Sequence, residues 1–123
     1  MPDGDAPFSL VKNPVLYFEI IGPDAVPLKH FFADLFGWPV DSATAEYSVF
    51  DAGGAGGIDG GVGPGQDGKR RVTVYARVDD LQGYLDKAEQ LDGKLVTPPT
   101  DAGGLTFAHV ADLAGNVMGI YTD

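Results

Sequence analysis

Residues 15–37 read VLYFEIIGPDAVPLKHFFADLFG, and their hydrophobic period changes part-way along. Val15–Ile21 is rich in β-branched and aromatic residues, which pack well on a pleated surface, and it reads as a strand. Leu28, Phe31, Phe32, Leu35 and Phe36 then fall at i, i+3, i+4, i+7 and i+8, one face of a helix. Asp24 is suited to cap the helix start. Pro27 lies in the first turn, where its missing N–H costs nothing. Gly37 stands where a left-handed glycine ends a helix. Trp38, just beyond, reads as core.

The same pattern returns further along. Val72–Val78, VTVYARV, reads as a strand, and Leu81, Tyr84, Leu85, Ala88 and Leu91 form the next helix face. Asp80 caps it and Gly93 follows it. Asp24 and Asp80 lie 56 residues apart, as do Gly37 and Gly93, and Val40 and Val96. After Gly93, KLVTP, TFAHVA and NVMGIY read as strands, the last two joined by a hairpin turn at Asp112-Leu113-Ala114-Gly115. After Gly37 the counterparts are WPVD, EYSVFD and the glycine-rich run from Gly53 to Gly65. Each half is β-α-β-β-β, so the chain reads as a tandem repeat of the α+β class. The expected layout is one domain over 1–123: an arm at 1–12, a first module over about 14–65, a linker over about 53–70 and a second module over about 71–121.

Gly63-Pro64-Gly65-Gln66-Asp67-Gly68-Lys69-Arg70 fits G-x-G-x-x-G and most of a phosphate-loop pattern. Such a loop needs a helix N-terminus after it to supply N–H groups. Here a strand follows instead. Gly63, Gly65 and Gly68 read as linker glycines, needing freedom at positive φ.

The formal charge is −10, from 18 acids against 8 bases, which argues against nucleic acid and anionic membranes as partners. Without cysteine there is no disulfide, thiolate nucleophile or cysteine zinc site. The first residues, MPDGDAPFSL, lack the basic and apolar regions of a secretion signal, and a cytoplasmic protein is the expectation.

Alternation sorts the strand faces. Leu16, Phe18 and Ile20 should pack under the first helix, leaving Val15, Tyr17, Glu19 and Ile21 opposite. Val72, Val74, Ala76 and Val78 should be core, leaving Thr73, Tyr75 and Arg77 opposite. Apolar walls with a few polar groups suit a ligand cavity, but an ordinary half-solvated sheet has the same pattern. Glu19 reads as a general base or ligand anchor, or as a structural partner, for example of Arg77. Arg77 would hold an anionic ligand group or sit at the surface. Tyr17, Tyr75 and Tyr121 are suited to stack on a planar ligand. If Ala108 and Val110 face the helices, His109 faces the other way and is a candidate proton-transfer group. His30, on the polar side of its helix, reads as a surface residue.

Tandem β-α-β-β-β units in one small chain resemble the vicinal oxygen chelate superfamily of glyoxalase I, bleomycin-resistance proteins and extradiol dioxygenases. FEIIGPDAVPLKHFFADLFGWPV resembles the first module of that family, VYARVDDLQGYLDKAEQLDGKLVTPP its second strand and helix, and FAHVADLAGN its closing hairpin, with Leu113 in place of proline. The resemblance covers about residues 14–121. It implies an open, cup-shaped eight-stranded mixed sheet with helices outside and a cavity within. It also implies four metal-ligand places. They fall on Tyr17, Thr73, Gly119 and a position near Gly60 or Gly61, with Asp59 the only ligand type near the last. Thr is a poor ligand and Gly none. The expectation is therefore no metal and no cofactor, and a homodimer that binds a small organic molecule through Tyr17, Glu19, Thr73, Tyr75, Arg77 and Tyr121. The alternatives are a glyoxalase-like lyase or isomerase using Glu19 and His109, and an interaction module with a vestigial cup.

Overall fold

The computed structural model describes residues 12–44, 46–65 and 69–123. The N-terminal arm before Lys12, and Gln66, Asp67 and Gly68 of the expected linker, lie outside the described residues. The elements are β1 (Val15–Ile21), α1 (Ala25–Phe36), β2 (Val40–Ser42), β3 (Ser48–Phe50), β4 (Asp59–Gly63), β5 (Arg71–Arg77), α2 (Leu81–Gln90), β6 (Lys94–Asp101), β7 (Thr106–Ala111) and β8 (Val117–Thr122). The order is β-α-β-β-β twice, an α+β chain with strands of mixed direction. Among the described residues no helix is long and apolar enough to cross a membrane.

The chain divides into two compact units. The first, Leu16–Val74, carries strands in the order β2-β3-β4-β1. β1 pairs parallel with β4, and β3 pairs antiparallel with β4 and β2. The second, described over 12–15 and 75–123, carries the end of β5 from Tyr75 on, followed in strand order by β8, β7 and β6. β5 pairs parallel with β8, and β7 pairs antiparallel with β8 and β6. The repeat read from the 56-residue offset is thus a repeat of topology.

Each unit has its own core. In the first, Ile20, Phe50 and Val62 are buried, with Phe18, Leu28, Phe32 and Trp38 packed on them. Trp38 is core as expected, its ring centroid 4.7 Å from Phe36, 5.3 Å from Phe50 and 5.6 Å from Phe18. In the second, Val78, Leu81, Leu85 and Ala108 are buried beneath Tyr84, Val110 and Ile120.

The apolar faces are narrower than their sequence patterns. On α1 only Leu28, Phe32 and Ala33 reach the core, while Phe31, Leu35 and Phe36 are more than half exposed. Val72 is 72% exposed, and Leu16 and Val74 are also exposed. The reason is length: a seven-residue strand runs about 23 Å, and a 10–12-residue helix only about 15–18 Å. The chain turns back into its helix at the C-terminal end of β1 or β5, so Ile20, Ala76 and Val78 are covered and the other ends are not. Leu91 is exposed because it is the C-cap of α2 rather than part of its last turn.

The caps follow the sequence in part. Gly37 is left-handed at φ 71°, and its N–H donates to Ala33 O at 2.8 Å. Asp80 accepts from Gly83 N at 3.0 Å, whereas Asp24 makes no side-chain cap bond. Asp92, not Gly93, takes the left-handed position after α2, at φ 69°. Gly93 is needed for space instead, since a Cβ there would lie 2.9 Å from Ala111 O and 3.0 Å from Ala88 O.

Candidate functional site

The glycines of β4 have a packing role, and Gly63, read above as a linker glycine, is one of these strand residues. Gly60, Gly61 and Gly63 are buried. A Cβ on Gly60 would run into the Phe18 ring on the core side. On the opposite side, a Cβ on Gly61 would run into the hydroxyls of Tyr47 and Tyr17, and one on Gly63 into the Tyr47 ring. The strand is bare so that tyrosines can lie on it. Among the described residues of the expected linker, Gly54, Gly56 and Gly65 have the positive φ expected of linker glycines, at 49°, 98° and 71°.

Over this bare floor the side chains form a chain of hydrogen bonds. Tyr47 OH donates to Glu19 Oε2 at 2.8 Å, and Tyr17 OH lies 2.9 Å from Tyr47 OH. Tyr17, Glu19 and Tyr47 are all half-buried. The Tyr47 backbone is held by its N–H donating to Thr44 Oγ1 at 3.0 Å. Burial, and then the Glu19 charge, push the Tyr47 phenol far above the ordinary tyrosine range. Burial raises Tyr17 too, outweighing the lowering effect of its bond to Tyr47. Both phenols therefore stay protonated. Tyr47 went unnoticed in the sequence; its signal is an aromatic beside β3, whose partner strand β4 carries alternate glycines. The nearby depression between α1 and β3–β4, lined by Val26, Lys29, Glu46 and Ser48, is too tight to admit a water molecule.

The second unit repeats the device with other residues. Tyr75 OH and His109 Nε2 lie 2.7 Å apart, both buried, and Phe107 packs edge-on against both rings. Gly119 pairs with both Tyr75 and His109, and a Cβ on it would run into the Tyr75 ring. His109 lies on the side of β7 opposite the core residue Ala108, as alternation requires. Arg77 is exposed, and its register partner Tyr121 is half-buried. Burial and the Asp123 charge raise Tyr121, while Arg77 opposes them. Thr73, 3% exposed, belongs to the first unit, with Tyr17 and Glu19; Tyr75, Arg77, His109 and Tyr121 belong to the second.

No family model matches the chain, and no curated protein matches it by sequence. Solved structures do. A glyoxalase/bleomycin resistance protein/dioxygenase superfamily member from Vibrio splendidus 12B01 superposes with TM-score 0.63 at 17% identity, over 89% of this chain and 98% of that one. A methylmalonyl-CoA epimerase from Streptomyces coelicolor gives TM-score 0.63 at 10% identity, over 92% and 99%. The Mn(II)-bound glyoxalase from Novosphingobium aromaticivorans gives 0.60 at 18% identity, over 91% of this chain but 39% of that longer one. The chain has the vicinal oxygen chelate fold.

The sequence resemblance implied ligand places on the first and last strands of each module. The register now locates the fourth place. Glu19 pairs with Gly61 as Tyr75 pairs with Gly119, and Glu19 and Tyr75 are equivalent in the repeat. On that resemblance the four places fall on Tyr17, Gly61, Thr73 and Gly119. A divalent ion wants imidazole, carboxylate or thiolate donors. Here stand a protonated phenol, an alcohol and two glycines, and tyrosines fill the space above both glycines. Among the described residues no three His, Asp or Glu side chains gather closely enough to hold a metal ion. The residues at these places do not fit the metal that the resemblance implies.

Proposed function

We propose that this chain binds a small organic molecule without a metal, in the manner of the antibiotic-binding members of the vicinal oxygen chelate superfamily, with Glu19, Tyr47 and Tyr17 as the polar anchor. One observation carries the reading: tyrosine side chains lie over Gly61 and Gly119, where a metal-dependent relative needs ligand side chains. A half-buried carboxylate beside two aromatic hydroxyls also has the composition of a ligand wall, apolar surface with a few directional polar groups.

Glu19→Gln tests it. The amide keeps the shape and an acceptor oxygen for Tyr47, so the melting temperature should stay near that of the parent. Affinity for the molecule found by native mass spectrometry of untagged protein, or by thermal-shift screening, should fall by about 1.5–3 kcal/mol, the scale of a hydrogen bond to a charged group. A lower melting temperature with unchanged affinity would make Glu19 a structural residue and reject the anchor.

A further inference from the structure

We propose that Thr44 is the positioning residue of the polar anchor: its hydroxyl sets the Tyr47 phenol against the Glu19 carboxylate. This rests on the binding role just proposed and adds the residue that sets the geometry of that site. Tyr47 is the last residue before β3. Ser48 pairs with Val62 in the β3–β4 ladder, so the next position, Tyr47, falls opposite Gly63. The ring reaches further. A Cβ on Gly63 would meet its Cγ–Cδ2 edge, and one on Gly61 its hydroxyl end. The ring therefore runs along β4 from Gly63 to Gly61 and brings its oxygen to Glu19 Oε2 at 2.8 Å. The strand beneath has no side chain at either place to key the ring. Its direction depends on the Tyr47 backbone, and a small rotation there is magnified at the hydroxyl.

That backbone is tied on both sides. Tyr47 N donates to Thr44 Oγ1 at 3.0 Å, and Tyr47 O accepts from Ala43 N and Thr44 N, each at 3.0 Å. Glu46 N also donates to Thr44 Oγ1, at 3.2 Å. A hydroxyl that accepts from the N–H groups two and three residues on closes a turn with its own side chain. Threonine suits the task, because its branched side chain has little rotamer freedom to lose. The strands that the turn joins, β2 and β3, have three residues each, and so short a hairpin gives the turn little definition by itself. Thr44 is exposed, and both of these bonds to its hydroxyl come from the main chain, so its part in the site passes through Tyr47.

The chain has five tyrosines. Full-length protein made with tyrosine isotopically labelled at Cζ gives one resonance for each, and Tyr47→Phe identifies that of Tyr47 by its loss. Thr44→Val keeps the shape and removes the acceptor, while Thr44→Ser keeps the acceptor. Thr44→Val should shift the Tyr47 resonance toward that of free tyrosine, and Tyr17, bonded to Tyr47, should follow. Tyr75, Tyr84 and Tyr121, in the second unit, should stay in place. Thr44→Ser should leave all five where they are in the parent. The melting temperature should fall little in either variant, because the bonds lost are exposed and water replaces them. A Tyr47 resonance unmoved by Thr44→Val, or moved as far by Thr44→Ser, overturns the assignment. So does a Thr44→Val chain in which all five resonances collapse to the position of free tyrosine, since the hydroxyl would then hold the fold rather than the phenol. These readings need no bound molecule and stand apart from the Glu19→Gln affinity test. If Tyr47 shifts as expected while no molecule depends on Glu19, the positioning holds and the binding role fails.

Discussion

Glycine at 119 is fixed by the ring lying over it, since any side chain there would need the space that Tyr75 fills. Gly119→Ala should therefore cost about 1–3 kcal/mol, the usual penalty of overpacking a filled site. Pairing it with Tyr75→Ala should recover part of that loss, so that the two changes are not additive in thermal melts; full additivity would mean the two do not share the space. The tyrosines also set a pH limit. The folded Tyr47 and Tyr17 phenols titrate above the free value of 10.0. A raised folded pKa means that the stabilisation is complete below pH 10.0 and is lost progressively above it, as the unfolded chain sheds protons that the fold retains. Melting temperature should fall from that pH upward, and less steeply in Tyr47→Phe; equal slopes would show that another group governs the alkaline limb. Glu19, Tyr17 and His109 were legible as candidates because alternation exposes the face of each. Tyr47 was not, because a tyrosine just before a three-residue strand has no period of its own, and its partner Gly61 becomes visible only once β4 is paired with β1.

Among the elements, those with the strongest periods were read almost to the residue: β1 and β7 have the expected bounds, and β5 starts one residue early. What the periods overstated was burial. A five-residue apolar stripe on α1 shows which side faces inward but not how far the sheet extends beneath it, so Phe31, Leu35 and Phe36 stand exposed. β4 was legible only as a glycine-rich run from Gly53 to Gly65 with its register open: DGGVG has the composition of a loop, and a strand of glycines is stable only because its neighbours supply the rings that cover it. The hairpin between β7 and β8 was legible because Asp, Gly and Asn each have one role in it. The Asp112 carboxylate accepts from the Ala114 and Asn116 N–H groups and from Asn116 Nδ2, each at 2.9 Å, and Gly115 takes φ 92°. The Asn116 side chain and backbone hold Asp112 below its ordinary 3.8. A lowered carboxylate pKa stabilises the fold above that value, and the stabilisation is lost as pH falls through the folded pKa. Asp112→Ala should therefore lower the melting temperature at neutral pH and narrow its gap to the parent protein in strong acid; a gap that stays constant with pH would show that the carboxylate's charge plays no part.

At the scale of the molecule, the repeat carries the argument about metal. The two units share a topology, and in both the last-strand glycine lies beneath a tyrosine. In one unit the partners are Tyr47 and Glu19, in the other Tyr75 and His109, so different residues reach the same filled arrangement. Restoring a ligand therefore takes more than replacing the missing side chain. Gly119→His supplies an imidazole at a ligand place but must displace the Tyr75 ring to seat it. The variant should melt lower than the parent and still purify without zinc, nickel, iron or manganese, because Tyr17 and Thr73 remain poor ligands and Gly61 provides none. The parent protein, prepared without a histidine tag, should also contain no stoichiometric metal by elemental analysis. If the parent carries one equivalent, lost in Glu19→Gln, the fold holds its ion through a ligand set other than the one the resemblance implies, and the tyrosines over Gly61 and Gly119 do not keep metal out. If the metal-free expectation holds and Gly119→His alone gains the ion without losing stability, the ring over Gly119 yields easily and sequence, not space, is what keeps the metal out.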